Sequence, residues 1–570
     1  MSTVRAERWA AAGAVALLLL LVAYPMATVA GQAFFPHAFA RHPSWAFDPL
    51  PLLHVFTRPW DYRMLADSCL LSAAAALLAT CCGTALAILT RRTDVPARAL
   101  WAGLVWVVLL TPSFLLAQGW ELLLQRGGLL DSLLAVPPLV RHLFFSPWGL
   151  ALVLAGKFFP FAYLAVGAAL PWLGGEQEAA ARVLGAGRGQ AWRRIYLPLL
   201  LPFLASGATL VFADVLSDFG IAATVAQSAH FPLLTYQIYA ALYTVPTDYP
   251  GAGALALLLT AAVGGALLVQ LALLRRYRYA TVHGGFRPPP PIPLGRARPL
   301  AAAALGLFFA AALGAPLAAS LLVSFLTHLG APLALGSLTL AHYAAVLRGG
   351  SQSLGALFFS LRLAAVAATA AVLLGSFLAW AGIQGSGAFR AALQGISLWI
   401  ISLPGIVLAA GYIFAWNQRW LAAAHLLLYG TAWALVLAYL AGGLPYVLRL
   451  QLGAMTQLDQ RLVAAARVQG AGVAALLRRV ILPLLADGSL SLWLFVLAGT
   501  AFELPASELL YPPGQPTLAV EILHRFDGFA YGRGTALTAL AAAAVLGLVL
   551  VAHLGLRRRI TGAPRAERQG

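Results

Sequence analysis

Of 570 residues only 10% are charged and 61% are hydrophobic, with a mean hydropathy of +0.84; soluble chains carry roughly a quarter charged residues, so a soluble globular protein is excluded. The net charge of +18 does not indicate nucleic acid, because 26 of the 36 arginines fall in loops and tails on one side of the topology below, as the positive-inside bias requires. The composition is that of an all-α polytopic membrane protein, since backbone amides in hydrocarbon are satisfied within helices.

Twelve apolar runs reach or approach the ~20 residues that cross a bilayer. The first, 9–31, follows Arg5 and Arg8 and is long for a signal peptide, so it reads as a retained span. The outer loop after it carries His37, His42 and His54, whose irregular spacing suits surface histidines better than a metal site. Spans at 67–90, 99–121, 147–171, 199–221 and 251–274 complete the first half. Cys69, Cys81 and Cys82 share the second span, lack zinc-site spacing and read as inert packing. The fourth span holds Lys157, the single lysine. It either lines a path or bonds a helix carbonyl near Pro160, because an ionisable group in a membrane faces a cavity or a partner, or it is a neutral or snorkelling lysine with a packing role. Asp214, four residues before Asp218 on the same helical face, is a similar case.

A basic stop, Arg275-Arg276-Tyr277-Arg278, and the run Pro288 to Pro291 form a stiff linker over 275–299. The second half has spans at 300–325, 356–381, 391–415, 426–447, 486–509 and 534–556. The expected domains are therefore 1–274 and 300–570, each with six spans. Six is even, so the halves are parallel repeats. Ser68, Gly83, Pro112 and Gly119 recur as Ser360, Gly375, Pro404 and Gly411 at an offset of 292. Trp148, Pro160 and Asp218 recur as Trp433, Pro445 and Glu503 at 285. One loop indel accounts for the change of register.

The most specific repeat lies in two inner loops, 176–198 and 459–483. Ala180-Ala181-Arg182-Val183-Leu184-Gly185 returns as Ala465-Ala466-Arg467-Val468-Gln469-Gly470. Pro198 and Pro483 each stand thirteen residues beyond the glycine. Small alanines make a thin helical face, the glycine permits positive φ, a second short basic helix follows, and the proline suits the first turn of the next span. A helix-turn-helix at the membrane surface is expected in each half.

At these residues the chain resembles permease subunits of binding-protein-dependent ABC importers, and among them most resembles the fused two-domain ferric iron permeases. Segments similar to that group include Asp218-Phe219-Gly220, Glu503-Leu504-Pro505-Ala506 and Leu510-Tyr511-Pro512-Pro513-Gly514. The resemblance implies that Ala180, Ala181, Gly185 and Pro198, and Ala465, Ala466, Gly470 and Pro483, form loops that couple to an ATPase. The family glutamate position is Ala179 in one loop and Ala464 in the other, with Glu178 one residue early, about 100° around a helix. Implied partners are two copies of an ABC ATPase, a periplasmic or lipid-anchored binding protein, and the lipid of a bacterial inner membrane, with both termini cytoplasmic. Related permeases carry thiamine, polyamines or phosphonates.

No catalytic residue, cofactor or metal site is expected. A P-loop needs a lysine after its glycines, and Gly156-Lys157-Phe158 lacks the pattern. Asp218 and Glu503 are symmetry-related carboxylates, read either as a gate for a cation or as helix caps or a salt bridge to a binding protein. An ion-coupled secondary transporter would use Lys157 and Asp214 but leaves the doubled loop unexplained. A membrane enzyme would want an acidic cluster in a large outer loop, and the outer acids are scattered.

Overall fold

A computed structural model describes residues 2–39, 44–134, 136–170, 183, 185, 187–276, 291–457 and 460–561. Glu178, Ala180, Ala181, His42 and most of the proline run lie outside the described residues. The first half contains α1 (Ser2–Phe34), α2 (Leu50–Thr57), α3 (Pro59–Arg92), α4 (Arg98–Leu110), α5 (Ser113–Leu124), α6 (Pro147–Ala169), α7 (Leu197–Ser217), α8 (Leu234–Tyr243) and α9 (Tyr249–Arg276). After the linker come α10 (Arg298–Phe309), α11 (Ala315–Val323), α12 (Gln352–Gln384), α13 (Gly387–Ile401) and α14 (Gly405–Trp416). The chain closes with α15 (Ala432–Met455), α16 (Ala486–Ala501), α17 (Leu518–Asp527) and α18 (Tyr531–Thr561). Among the described residues there is no strand, only two isolated bridges.

Nine described helices are long and apolar enough to cross a membrane. Three expected spans differ. The run 99–121 is broken between α4 and α5 by 97°, and 391–415 between α13 and α14 by 98°. Pro112 and Pro404 stand at the breaks, where each lacks an amide and disfavours helix in the residue before it. The run 486–509 yields only the 16-residue α16. The chain turns at Glu503, whose carboxylate captures the first amides of a new short helix, Pro505–Leu510.

The described residues form two compact units, one joining Met1–Gly31 to Thr339–Gly570, the other spanning Gln32–Leu338. This grouping differs from the sequence division at the linker, because each unit takes its first span from the other half of the chain. In the first unit α1 packs on α14. Tyr24 Oη donates to Ala415 O at 3.1 Å, and Tyr412 Oη donates to Leu21 O at 3.0 Å. A Cβ on Gly411 would come within 2.8 Å of Pro25 O. In the second unit α10 and α11 pack on α4, α5 and α6. Phe309 stacks on Trp101 at 5.8 Å, and Phe308 meets Phe159 edge-on at 4.9 Å. A Cβ on Gly119 would run into Pro316 O. The repeated glycines Gly119 and Gly411 thus serve the same purpose, close approach of a proline-bearing first span.

Gly83 and Gly375 are repeated for a like reason. A Cβ on Gly83 would lie 2.7 Å from Phe159 O, and one on Gly375 would lie 2.7 Å from Val447 Cγ1. Both glycines let the second span close on the fourth.

Candidate coupling segments and the charged residues of the spans

From the glycine onward, the described parts of the two inner loops repeat in backbone as well as in sequence. Gly185 has φ of 75° and Gly470 of 80°, the left-handed region that glycine enters without a Cβ penalty. Beyond Gly185 a helical turn, Arg188–Ala191, runs into a π-helical turn, Trp192–Tyr196. Beyond Gly470 the order is the same, Val473–Leu476 and then Leu477–Ile481. Each π turn ends two residues before Pro198 or Pro483. A proline ring collides with the carbonyl four residues back, here Arg194 or Arg479, and widening the turn relieves the collision. In the second loop the preceding helix is described, Gln460–Val468, with Ala465 exposed and Ala466 half-buried.

One pair was not singled out from sequence. Val183 is 87% exposed and Val468 is 89% exposed. The same aliphatic side chain is thus exposed at the same position of both repeats. The signal was present in the repeat, since both valines stand in the duplicated motif.

In the Gln32–Leu338 unit the end of this loop is tied to the second span. The Arg92 guanidinium lies over the buried Tyr196 ring at 5.7 Å. Arg91 donates to Gly167 O at 3.0 Å and lies 5.3 Å from the Tyr163 ring centroid. The end of the linker docks on the same corner. Ile292 N donates to Arg92 O at 2.7 Å, Leu294 N to Asp94 Oδ1 at 2.8 Å, and Arg298 pairs with Asp94 at 3.4 Å.

Lys157 is only 8% exposed. Its Nζ donates to Val108 O at 2.9 Å, Leu109 O at 2.9 Å and Thr111 O at 2.7 Å. These carbonyls are left without amide partners by the break after α4, and a cation is favoured at a helix C-terminus. The carbonyls that Lys157 bonds are thus at the end of α4 rather than near Pro160. Asp214 and Asp218 both interact electrostatically with it. Among the described residues Asp214 Oδ2 is buried without a hydrogen-bond partner.

Asp218 and Glu503 have matching duties. Asp218 Oδ1 accepts from Ile221 N at 2.7 Å. Glu503 Oε1 accepts from Ala506 N at 2.8 Å, and Oε2 from Ser507 N and Ser507 Oγ, both at 2.9 Å. Each carboxylate caps the turn after the fifth span. Among the outer-loop histidines, His37 pairs with Asp48 at 3.8 Å. Among the described residues no group of three His, Cys, Asp or Glu side chains is placed to hold a metal ion.

The family described as "Binding-protein-dependent transport system inner membrane component" matches residues 79–278 and again 371–558. A ferric transport system permease protein of Haemophilus influenzae is 26% identical over 491 residues, covering 83% of this chain and 73% of that protein. A ferric transport system permease protein of Actinobacillus pleuropneumoniae is 24% identical over 546 residues, covering 94% and 76%. An ABC transporter permease protein of Sinorhizobium fredii is 28% identical over 424 residues, covering 71% and 72%. Each family match takes in one of the two loops, and together with the repeated loop backbone they place the chain in the family of binding-protein-dependent transport system inner membrane components, as a fused two-domain permease.

Proposed function

We propose that this permease imports ferric iron, driven by ATP hydrolysed on a separate ATPase subunit present in two copies. Each copy docks on one inner loop, seating Val183 or Val468 in an apolar pocket while the left-handed glycine sets the angle of the docking helix. An external binding protein delivers the substrate to the opposite face, and both termini are cytoplasmic. The observation that carries the reading is the motif present twice, with the same left-handed glycine, the same turns after it and the same exposed valine. Likeness over most of the chain to permeases named for ferric transport supports the substrate.

The test is uptake of radiolabelled Fe(III) into proteoliposomes holding the chain with its ATPase and binding protein. ATP-dependent uptake is expected, with loss of both uptake and coupled ATP hydrolysis in the Val183→Asp/Val468→Asp variant. Thermal stability should be unchanged, because these side chains are out in solvent. ATP-driven uptake of thiamine but not iron would keep the coupling and overturn the substrate. Uptake that follows a proton gradient without any ATPase would overturn the reading whole.

A further inference from the structure

The helix after the fifth span is pinned in both halves by a serine of the second span. Ser68 Oγ accepts from Leu234 N at 3.0 Å, and Ser360 Oγ accepts from Leu518 N at 2.7 Å. These contacts put the halves in a common local register. Seven residues before each serine stands Asp61 in one half and Ser353 in the other. Three and seven residues into the pinned helix stand Gln237 and Ala241, or Glu521 and Arg525.

In the unit containing Thr339–Gly570 the chain fills this place itself. Arg525 Nη2 lies 2.6 Å and Nε 2.8 Å from Glu521 Oε1, and Ser353 Oγ donates to the same oxygen at 2.8 Å. Glu521 is 2% exposed. In the Gln32–Leu338 unit the arginine position is Ala241, and a cavity of about 360 Å³ opens instead. Asp61, Gln237 and Ala241 line it together with Asp48, Asp248 and Arg58. The last two acids are held rigid, since Asp48 Oδ1 accepts from Leu50 N and Asp248 Oδ1 from Gly251 N, both at 2.9 Å. Three carboxylates share the cavity with the Arg58 guanidinium and the imidazoles of His37 and His54, His37 lying 3.8 Å from Asp48; with the imidazoles uncharged, the cavity carries an excess of negative charge.

We propose that this cavity is a socket for one cationic side chain, lysine or arginine, presented by the external binding protein. The proposal rests on the importer reading above. The corresponding position of the sister half already holds a guanidinium, its own Arg525, against a carboxylate. The cavity lies at the starts of α3 and α9, whereas α3 ends at Arg92 beside Tyr196 of the coupling segment. It therefore opens on the face away from the ATPase. Its volume is at the small end for ligand pockets, and no three-ligand metal group converges among the described residues. A hydrogen-bonding organic cation fits better than a bare metal ion.

The test transplants the plug of one half into the other, as Asp61→Ser/Gln237→Glu/Ala241→Arg, in the full chain assembled with its ATPase and binding protein in nanodiscs. The Kd for substrate-loaded binding protein should rise about tenfold and lose much of its salt dependence. ATP hydrolysis without binding protein should stay as it was. An unchanged Kd and salt slope would overturn the socket. A second measurement needs no partner. Ala241→Cys, with Cys69, Cys81 and Cys82 replaced by alanine, is labelled with a cationic trimethylammonium-ethyl or an anionic sulfonatoethyl methanethiosulfonate. The cationic reagent should react about tenfold faster, and the preference should vanish with Asp61→Asn/Asp248→Asn. Equal rates would overturn the socket. A wild-type complex that binds no binding protein and uses no ATP, yet labels with cation preference, would sink the importer reading instead.

Discussion

Lys157 is a buried charge whose partners become visible only in the geometry. Its ammonium has three protons, and three carbonyls at the end of α4 receive them. The sequence supplied the buried charge but not its partners, which lie some 46 to 49 residues earlier and become available only because the span breaks. Gly442 stands at the repeat-equivalent position, so the cap belongs to one half. Lys157→Met keeps length and removes the donors, leaving buried carbonyls unsatisfied at about 1–3 kcal/mol apiece. The purified protein should therefore show a clearly lower Tm. A residue that only lined the substrate path would behave differently, with an unchanged Tm and a raised KM for uptake.

At the scale of elements, the spans and their repeat were legible, and the breaks were not. Pro25, Pro160, Pro202 and Pro445 all sit inside continuous helices, so a proline in an apolar run does not by itself predict a bend. Pro112 and Pro404 differ in their surroundings. Thr111 and Ser113 flank one, and Ser402 and Gly405 stand near the other. Small polar neighbours and Lys157 offer the backbone groups freed by the break other partners. The repeated glycines were legible as positions, but their cause lies in tertiary contact. Gly119→Leu should force α5 and α11 apart, an overpacking cost of about 1–3 kcal/mol or more, seen as a lower Tm and lower yield. Gly442→Ala is the control, since a Cβ there meets nothing within 4 Å. It should be neutral or stabilising by up to about 1 kcal/mol, as alanine is the better helix former. A Gly119→Leu variant as stable as the control would mean that the close approach of Pro316 does not hold in the membrane.

The whole molecule is a duplicated chain whose packing does not respect the duplication. Hydropathy fixes where a helix crosses and charge fixes which way, but neither says which neighbour a span selects. That choice is written in short-range complementarity, such as Tyr24 with Ala415 and Tyr412 with Leu21 on one side, and Trp101 with Phe309 on the other. An exchange of first spans makes neither half of the chain sufficient for one compact unit. The consequence can be measured by cutting the chain. Residues 1–276 and 291–570, expressed together as two polypeptides, should assemble, whereas either alone should be degraded. Tyr24→Cys on the first piece and Ala415→Cys on the second, in a background without other cysteines, should be joined by a short bis-maleimide into one band of full-length size. A control with Tyr24→Cys alone should leave the two pieces separate. If the pair also stays separate in assembled, active protein, the first span packs within its own half, and the division at the linker describes the compact units after all.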